Sequence, residues 1–343
     1  MSIPLSECRP PQIIGMDTPD QLPRSPATPW RLAVLIPCFN EEVAIAQVVE
    51  SFRATVPDAI VYVYDNNSSD GTGHAARAAG AIVRREPLQG KGNVVRRMFA
   101  DVEADVYVLV DGDGTYDPAS APAMVDLLLA QSLDMVTGVR VTTEDAAYRP
   151  GHRLGNVVLT GLVGSIFGRG VSDMLSGYRA FSRRFVKSFP ALASGFETET
   201  EFTVHALELR MPIAELPTSY RERPAGSASK LRTYSDGVRI LRSIAMLVKE
   251  ERPLQFFSVI GLVLFLAGIG LGVPIIAEFV RTGLVPRLPT AVLATGLVLL
   301  SFLSFTCGLI LDSVSRGRRE LKRLSYLAIP GPLGGREGER SAR

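Results

Sequence analysis

Two stretches of this 343-residue chain, Pro253 to Ala277 and Leu288 to Leu311, contain no Asp, Glu, Lys or Arg. Each exceeds the roughly 20 residues that a helix needs to cross about 30 Å of hydrocarbon. Hydrocarbon offers no partner for backbone N–H and C=O groups, so such runs must be helical, and the pair reads as a membrane hairpin. Arg239, Arg242, Lys249 and Arg252 precede the first run, and Arg316, Arg318, Arg319, Lys322 and Arg323 follow the second. Only Arg281 and Arg287 lie between them. That asymmetry predicts that both ends of the hairpin and the large preceding domain face the cytoplasm, making a multi-pass protein of the inner, cytoplasmic membrane. Leu241, Ile244, Ala245 and Val248 repeat at helical spacing beside basic residues, which predicts an amphipathic helix over 235–252, lying on the bilayer or packed on its own domain. Residues 312–343 read as a basic cytoplasmic tail.

Residues 1–30 hold seven prolines and no periodic pattern, and are expected to form a disordered leader. From Arg31 short aliphatic runs alternate with amphipathic stretches. RLAVLIP (31–37), AIVYVYD (59–65), AIVRR (81–85), DVYVLVD (105–111) and DMVTGV (134–139) are the runs. The stretches between the runs are EEVAIAQVVESFRA (41–54), GTGHAARAAG (71–80), KGNVVRRMFADV (91–102) and PASAPAMVDLLLAQ (118–131). This alternation predicts an α/β domain over 31–234 with a mostly parallel sheet and right-handed crossovers. Ligands of such sheets bind at the carboxyl ends of the strands. The formal net charge is only +2, so no global field points to nucleic acid. Cys8, Cys38 and Cys307 are too far apart for a zinc set or a disulfide framework.

The polar clusters fall at the expected strand ends: PCFNEE (37–42), DNNSSDGT (65–72), QGKGN (89–93) and VDGDGTYDP (110–118). In the last, Asp111 and Asp113 lie one residue apart before a helix near Pro118. Two such carboxylates can share a hard divalent cation whose shell is completed by phosphate oxygens, and the same residues also suit a plain Asp-rich turn and helix cap. Lys91, between Gly90 and Gly92, combines an ammonium with a backbone that permits close approach. Arg149 and Arg153 are one helical turn apart and precede an apolar stretch beginning at Leu154. His74 and His205 read as ordinary helix residues.

With TGVR (137–140), VSDMLSGYRAF (171–181) and GSASKL (226–231) added, the chain resembles the family-2 glycosyltransferases of GT-A fold, and more narrowly the polyprenyl-phosphate sugar synthases of the dolichol-phosphate mannose synthase type. The resemblance spans roughly residues 31–250. It implies that Pro37, Asn40, Glu41 and Asp65 line the nucleoside pocket, that Lys91 and Lys230 meet the donor diphosphate, and that Asp111 and Asp113 hold Mg²⁺ or Mn²⁺. From their position between the fifth strand and the apolar stretch at Leu154, Arg140, Arg149 and Arg153 are placed to face the acceptor phosphate or are solvated surface arginines, with Arg140 and the two aspartates as the catalytic set. Asp173, Arg179 and Glu199 would organise the site, the first two through an ion pair. Where the family commonly has Asp-Asp-Gly-Ser, this chain reads Asp65-Asn66-Asn67-Ser68, one carboxylate fewer.

The expected activity is metal-dependent, inverting transfer of a hexose from a GDP- or UDP-linked sugar to polyprenyl phosphate. The acceptor's second pKa of about 6 leaves it ionised, so no general base is needed. Two rivals stand beside it: transfer to a glycan or glycolipid hydroxyl, with a base drawn from Glu197, Glu199 and Glu201, or a catalytically silent, membrane-anchored nucleotide-sugar binder.

Overall fold

The computed structural model describes residues 30–141, 161, 171–192, 195, 197–221, 249 and 252–332. Arg149, His152, Arg153, Lys230, the leader and all of the expected juxtamembrane helix except Lys249 and Arg252 lie outside them.

The five expected strands are present as β1 (Leu32–Cys38), β2 (Ile60–Asp65), β3 (Ile82–Arg85), β4 (Val106–Leu109) and β5 (Met135–Val141). Two more, β6 (Arg179–Ser182) and β7 (Ile213–Ser219), complete a seven-stranded sheet in the order β3-β2-β1-β4-β6-β5-β7. β6 pairs antiparallel with both β4 and β5, and all other pairings are parallel. β5 is therefore separated from β4 by a strand that comes about 40 residues later in the chain, at a motif the sequence marked only for its polar residues.

Side-chain alternation sorts the core onto both faces of the sheet. On one face Leu32, Val34, Ile36, Val106 and Val108 pack against α1 (Glu42–Thr55), α2 (Thr72–Ala78) and α4 (Ala121–Ala130). On the other, Ala33, Leu35, Tyr107 and Leu109 meet α3 (Lys91–Asp101), α5 (Arg183–Ser188) and α6 (Thr198–Glu208). Phe99, Phe181, Phe185, Phe189 and Phe202 interlock in that second layer, with ring centroids 4.5 to 6.2 Å apart. This geometry adds to the area that their burial removes from water.

Two long helices follow, α7 (Pro253–Thr282) and α8 (Leu288–Leu327), both long and apolar enough to cross a membrane. Their mutual face repeats every seven residues: Gly261, Gly268 and Ile275 on one helix, Ala294, Ser301, Gly308 and Ser315 on the other. A Cβ at Gly268 would lie 2.8 Å from Val298 and 3.1 Å from the Ala294 carbonyl, so glycine sets how closely the backbones approach. The outward faces carry exposed Leu, Val, Ile and Phe. The basic tail expected from 312 begins instead as four more turns of α8. No proline interrupts it, and an Asp312–Arg316 pair at 2.5 Å spans one of its turns.

Candidate functional site

The parallel ladders bring the carboxyl ends of β1, β2 and β3 level, with Cys38 opposite Asp65 and Asp65 opposite Arg85. The loops leaving these ends are tied to one another. Asn40, in the left-handed region at φ 54°, donates its backbone N–H to Ser68 Oγ at 2.9 Å, and its side-chain oxygen accepts from the Ser69 N–H at 2.8 Å. The Glu41 N–H donates to Thr72 Oγ1 at 2.8 Å, and Asp65 accepts from the Ser68 N–H at 3.0 Å. Pro37 sits one residue before the end of β1, beside Tyr64. Pro37, Asn40, Glu41 and Asp65 thus line two interlocked loops.

Asn66 is buried and acts as a clamp on the next loop. Its amide NH₂ donates to the carbonyls of Glu86 and Leu88 at 2.9 and 2.7 Å, while its oxygen accepts from the Gly90 N–H at 2.7 Å. An aspartate has no hydrogen to donate, so the residue by which this chain departs from the family pattern is what fixes the approach to Lys91. Within the sequence the change registered only as a lost carboxylate.

Lys91 opens α3 and is largely enclosed between two acids, its side chain 10% exposed. Its ammonium lies 2.5 Å from Asp111 Oδ1 and also donates to Glu199 Oε1. Burial alone would lower the Lys91 pKa, but Asp111 and Glu199 outweigh it and hold the ammonium above the ordinary lysine range. The second Glu199 oxygen is buried with no hydrogen-bond partner among the described residues. Glu201, two residues on, instead accepts from the Leu192 N–H at 2.8 Å, away from Lys91. Lys91 is thus joined to Asp111 and, across 108 residues of chain, to Glu199, a contact that no local spacing could reveal.

Asp111 and Asp113 leave β4 into the site. Asp113 is buried, and its Oδ1 accepts from the Thr115 hydroxyl and N–H at 2.7 and 3.2 Å. Gly114, at φ 74°, supplies the left-handed residue this turn requires. A Cβ on Gly177 would fall 2.3 Å from Asp111 Oδ2, so the SGYR segment cradles that carboxylate in a space only glycine leaves. Gly177 is held there by its own N–H, which donates to Tyr116 Oη at 2.8 Å. Among the described residues no group of three or more His, Cys, Asp or Glu is arranged around a metal position. The chemistry of the Asp111 and Asp113 carboxylates fits a hard ion completed by phosphate oxygens and does not fit a soft metal.

Asp173 forms its ion pair with Arg140, not with Arg179. Arg140 grips it through Nε and Nη2, both at 2.7 Å, and lies over the Tyr220 ring at 5.6 Å. Burial alone would raise the Asp173 pKa, but Arg140 outweighs it and holds the carboxyl below its usual range. Arg179 is fully buried and donates to the carbonyls of Met174 and Ser176 and to Thr203 Oγ1. Burial pulls its pKa down to about 10 against the neighbouring carboxylates. The physical reason for the exchange lies in β6: pairing Arg179 with Thr137 puts its side chain into the layer beneath the site, while the preceding turn leaves Asp173 facing β5.

The family model for glycosyl transferase family 2 matches residues 33–189. The glycosyltransferase AglJ of Haloferax volcanii is 32% identical over 308 residues, covering 88% of this chain and 99% of that protein. A dolichyl-phosphate hexose transferase of the same organism is 30% identical over 221 residues, 64% of this chain and 95% of its own. Among solved structures, the Mycobacterium tuberculosis glucosyl-3-phosphoglycerate synthase with Mn²⁺, UDP-glucose and phosphoglyceric acid superposes with a TM-score of 0.53 at 25% identity, covering 64% of this chain and 79% of that one. The sheet order, the aspartate pair at the end of β4 and these similarities agree, and the chain belongs to glycosyl transferase family 2 as a glycosyltransferase with a GT-A-like domain.

Proposed function

We propose that this enzyme transfers a hexose, with inversion, from a GDP- or UDP-linked sugar to polyprenyl phosphate at the cytoplasmic face of the inner membrane. The observation that carries the reading is that Asp111, Asp113 and Lys91 converge at one sheet edge of a chain that continues into two membrane-length helices. The dolichyl-phosphate hexose transferase relative and the Mn²⁺ and UDP-glucose in the solved neighbour support it.

In this reading Pro37, Asn40, Glu41 and Asp65 hold the nucleoside, and Asp111 and Asp113 hold Mg²⁺ or Mn²⁺. The cation supplies charge stabilisation to the departing nucleoside diphosphate. Lys91 orients Asp111 and adds positive charge beside the diphosphate, and Glu199 fixes Lys91 from the opposite side. The Arg140–Asp173 pair shapes the floor toward the acceptor. Arg149, Arg153 and Lys230 are assigned from sequence position, the arginines to the acceptor phosphate and the lysine to the donor. An acceptor phosphate oxygen attacks the anomeric carbon in line. Its bond to the sugar forms as the sugar–diphosphate bond breaks, and the electron pair leaves on the β-phosphate. No proton need be removed, because the attacking monoester is already ionised.

A panel of nucleotide sugars incubated with the full-length protein, polyprenyl phosphate and Mg²⁺ or Mn²⁺ tests the proposal. One donor should yield an acid-labile lipid-linked sugar, and EDTA should abolish it. Transfer only to glycan or glycolipid hydroxyls, with an acidic limb in the pH–rate profile, would overturn it.

A further inference from the structure

The last turns of α8 do not end in solvent. They run onto the catalytic domain at the amino ends of the strands, the edge opposite the site. Tyr326 donates its hydroxyl to Asp134 Oδ2 at 2.7 Å. Asp134 immediately precedes β5, its side chain is fully buried, and Arg184 on α5 grips both of its oxygens at 3.0 and 2.8 Å. The Arg184 guanidinium lies 4.3 Å from the Tyr326 ring centroid, so the ring closes over this ion pair from outside. One turn back, Lys322 reaches Glu208 Oε2 at 2.7 Å, with Arg319 4.0 Å from the other oxygen. The Glu208 side chain is only 3% exposed, so its charge is compensated by residues that belong to the membrane hairpin.

Glu208 closes α6, and Glu199, in the first turn of the same helix, touches Lys91. At 1.5 Å per residue the two ends of this link are about 14 Å apart, so α8 grips the far end of the helix that reaches into the site. Tyr326 in turn lies about 22 Å of helix beyond Leu311, where the uncharged run ends. A continuous helix of that length, pinned at its tip, fixes both the distance and the angle between the bilayer and the domain.

We infer that the terminal segment of α8 is a rigid strut that holds the catalytic face in register with the bilayer, and that Tyr326 and Lys322 are positioning residues for the membrane-embedded acceptor. The inference rests on the lipid-phosphate reading above. Holding an enzyme at a fixed place relative to a membrane-bound substrate raises that substrate's effective concentration, and a substrate in free solution gains nothing from it.

Full-length wild type, Lys322→Glu, Tyr326→Phe and the charge-swapped Glu208→Lys/Lys322→Glu protein, each in lipid nanodiscs, test this. Kinetics are measured with a long-chain polyprenyl phosphate in the bilayer and with a short-chain, water-soluble analogue. Hydrogen exchange is followed over residues 316–327. Lys322→Glu should raise the apparent KM for the embedded acceptor about tenfold, an effective-concentration effect, while kinetics with the soluble acceptor and the donor KM change less than about twofold. The same variant should lose exchange protection in the segment, Tyr326→Phe should show both effects more weakly, and the charge swap should restore both. Equal effects on the two acceptors, no effect on either, or wild-type exchange as fast as that of an undocked helix would overturn the inference. If wild type glycosylates neither acceptor, the functional reading fails, and the exchange data still decide whether the strut is docked.

Discussion

Two buried carboxylates on opposite edges of the same sheet are treated in opposite ways. Asp134, at the amino edge, accepts from Arg184 twice, from the Ser182 hydroxyl at 2.7 Å and from Tyr326. Glu199, at the carboxyl edge, has one oxygen on Lys91 and the other without a partner among the described residues. Both oxygens of Asp134 are satisfied, which is what stability requires. At the carboxyl edge an incompletely paired acid and a lysine shared between two acids carry a cost that a binding role would account for. Charge at one edge holds the molecule together, and charge at the other is left incompletely paired, as the proposed ligand site requires.

The sharpest way to break this contrast is at the aspartate pair. Asp113→Asn should lower turnover at least about a hundredfold, the scale of losing a principal charge stabiliser, with the melting temperature little changed. Near-normal turnover would remove the pair from the chemistry. Asp134→Ala should do the reverse, costing about 2 to 4 kcal/mol in denaturant unfolding because Arg184 loses its buried partner, while the folded fraction keeps its kcat. An Asp134→Ala protein that loses kcat without losing stability would erase the distinction between the edges.

Asn66→Asp sharpens the comparison within the site. Removing two donated hydrogen bonds should loosen residues 86–90, cost about 1 to 3 kcal/mol and raise the donor KM more than it lowers kcat. An unchanged donor KM would show that the clamp does not serve Lys91.

The effect that is smallest near neutral pH and grows only in acid is a pH dependence at His205, which lies on the domain side of the strut. Its ring is buried beside Phe185 and Phe189, with Ser188 Oγ 3.3 Å from Nε2, and burial, with Lys322 nearby, pushes its pKa down to about 3. The unfolded chain takes up this proton first, near pH 6.5. Stability from a neutral His205 is therefore complete above pH 6.5 and falls, by up to about 1.4 kcal/mol per pH unit, as pH drops toward 3. His205→Phe should flatten that part of the unfolding curve, and an unaltered slope would assign the acid sensitivity elsewhere.

Much of this architecture is legible in the sequence because it is local. The uncharged runs give the hairpin, the strand–helix alternation gives five strands, and the Asp111 and Asp113 spacing places a carboxylate pair at a strand end. What escapes local reading is long-range. The four residues of β6 are too short to show a period, and β7 contains Pro217, which argues against a strand until its place at the sheet edge is known. Arg140 and Arg179 are both plausible partners for Asp173, and only the β5–β6 register decides between them. The docking of Tyr326 on Asp134 joins residues 192 positions apart, and a tail rich in arginine reads as solvated until that partner is seen.

The most direct test of the central claim is the ³¹P NMR spectrum of the lipid product made by the wild-type enzyme from its nucleotide sugar and polyprenyl phosphate. The account predicts that the acceptor's monoester resonance is replaced by a phosphodiester, with an anomeric configuration opposite to that of the donor. An acceptor that stays a monoester while the sugar is recovered on a hydroxyl, or a product that retains the donor's configuration, would contradict it.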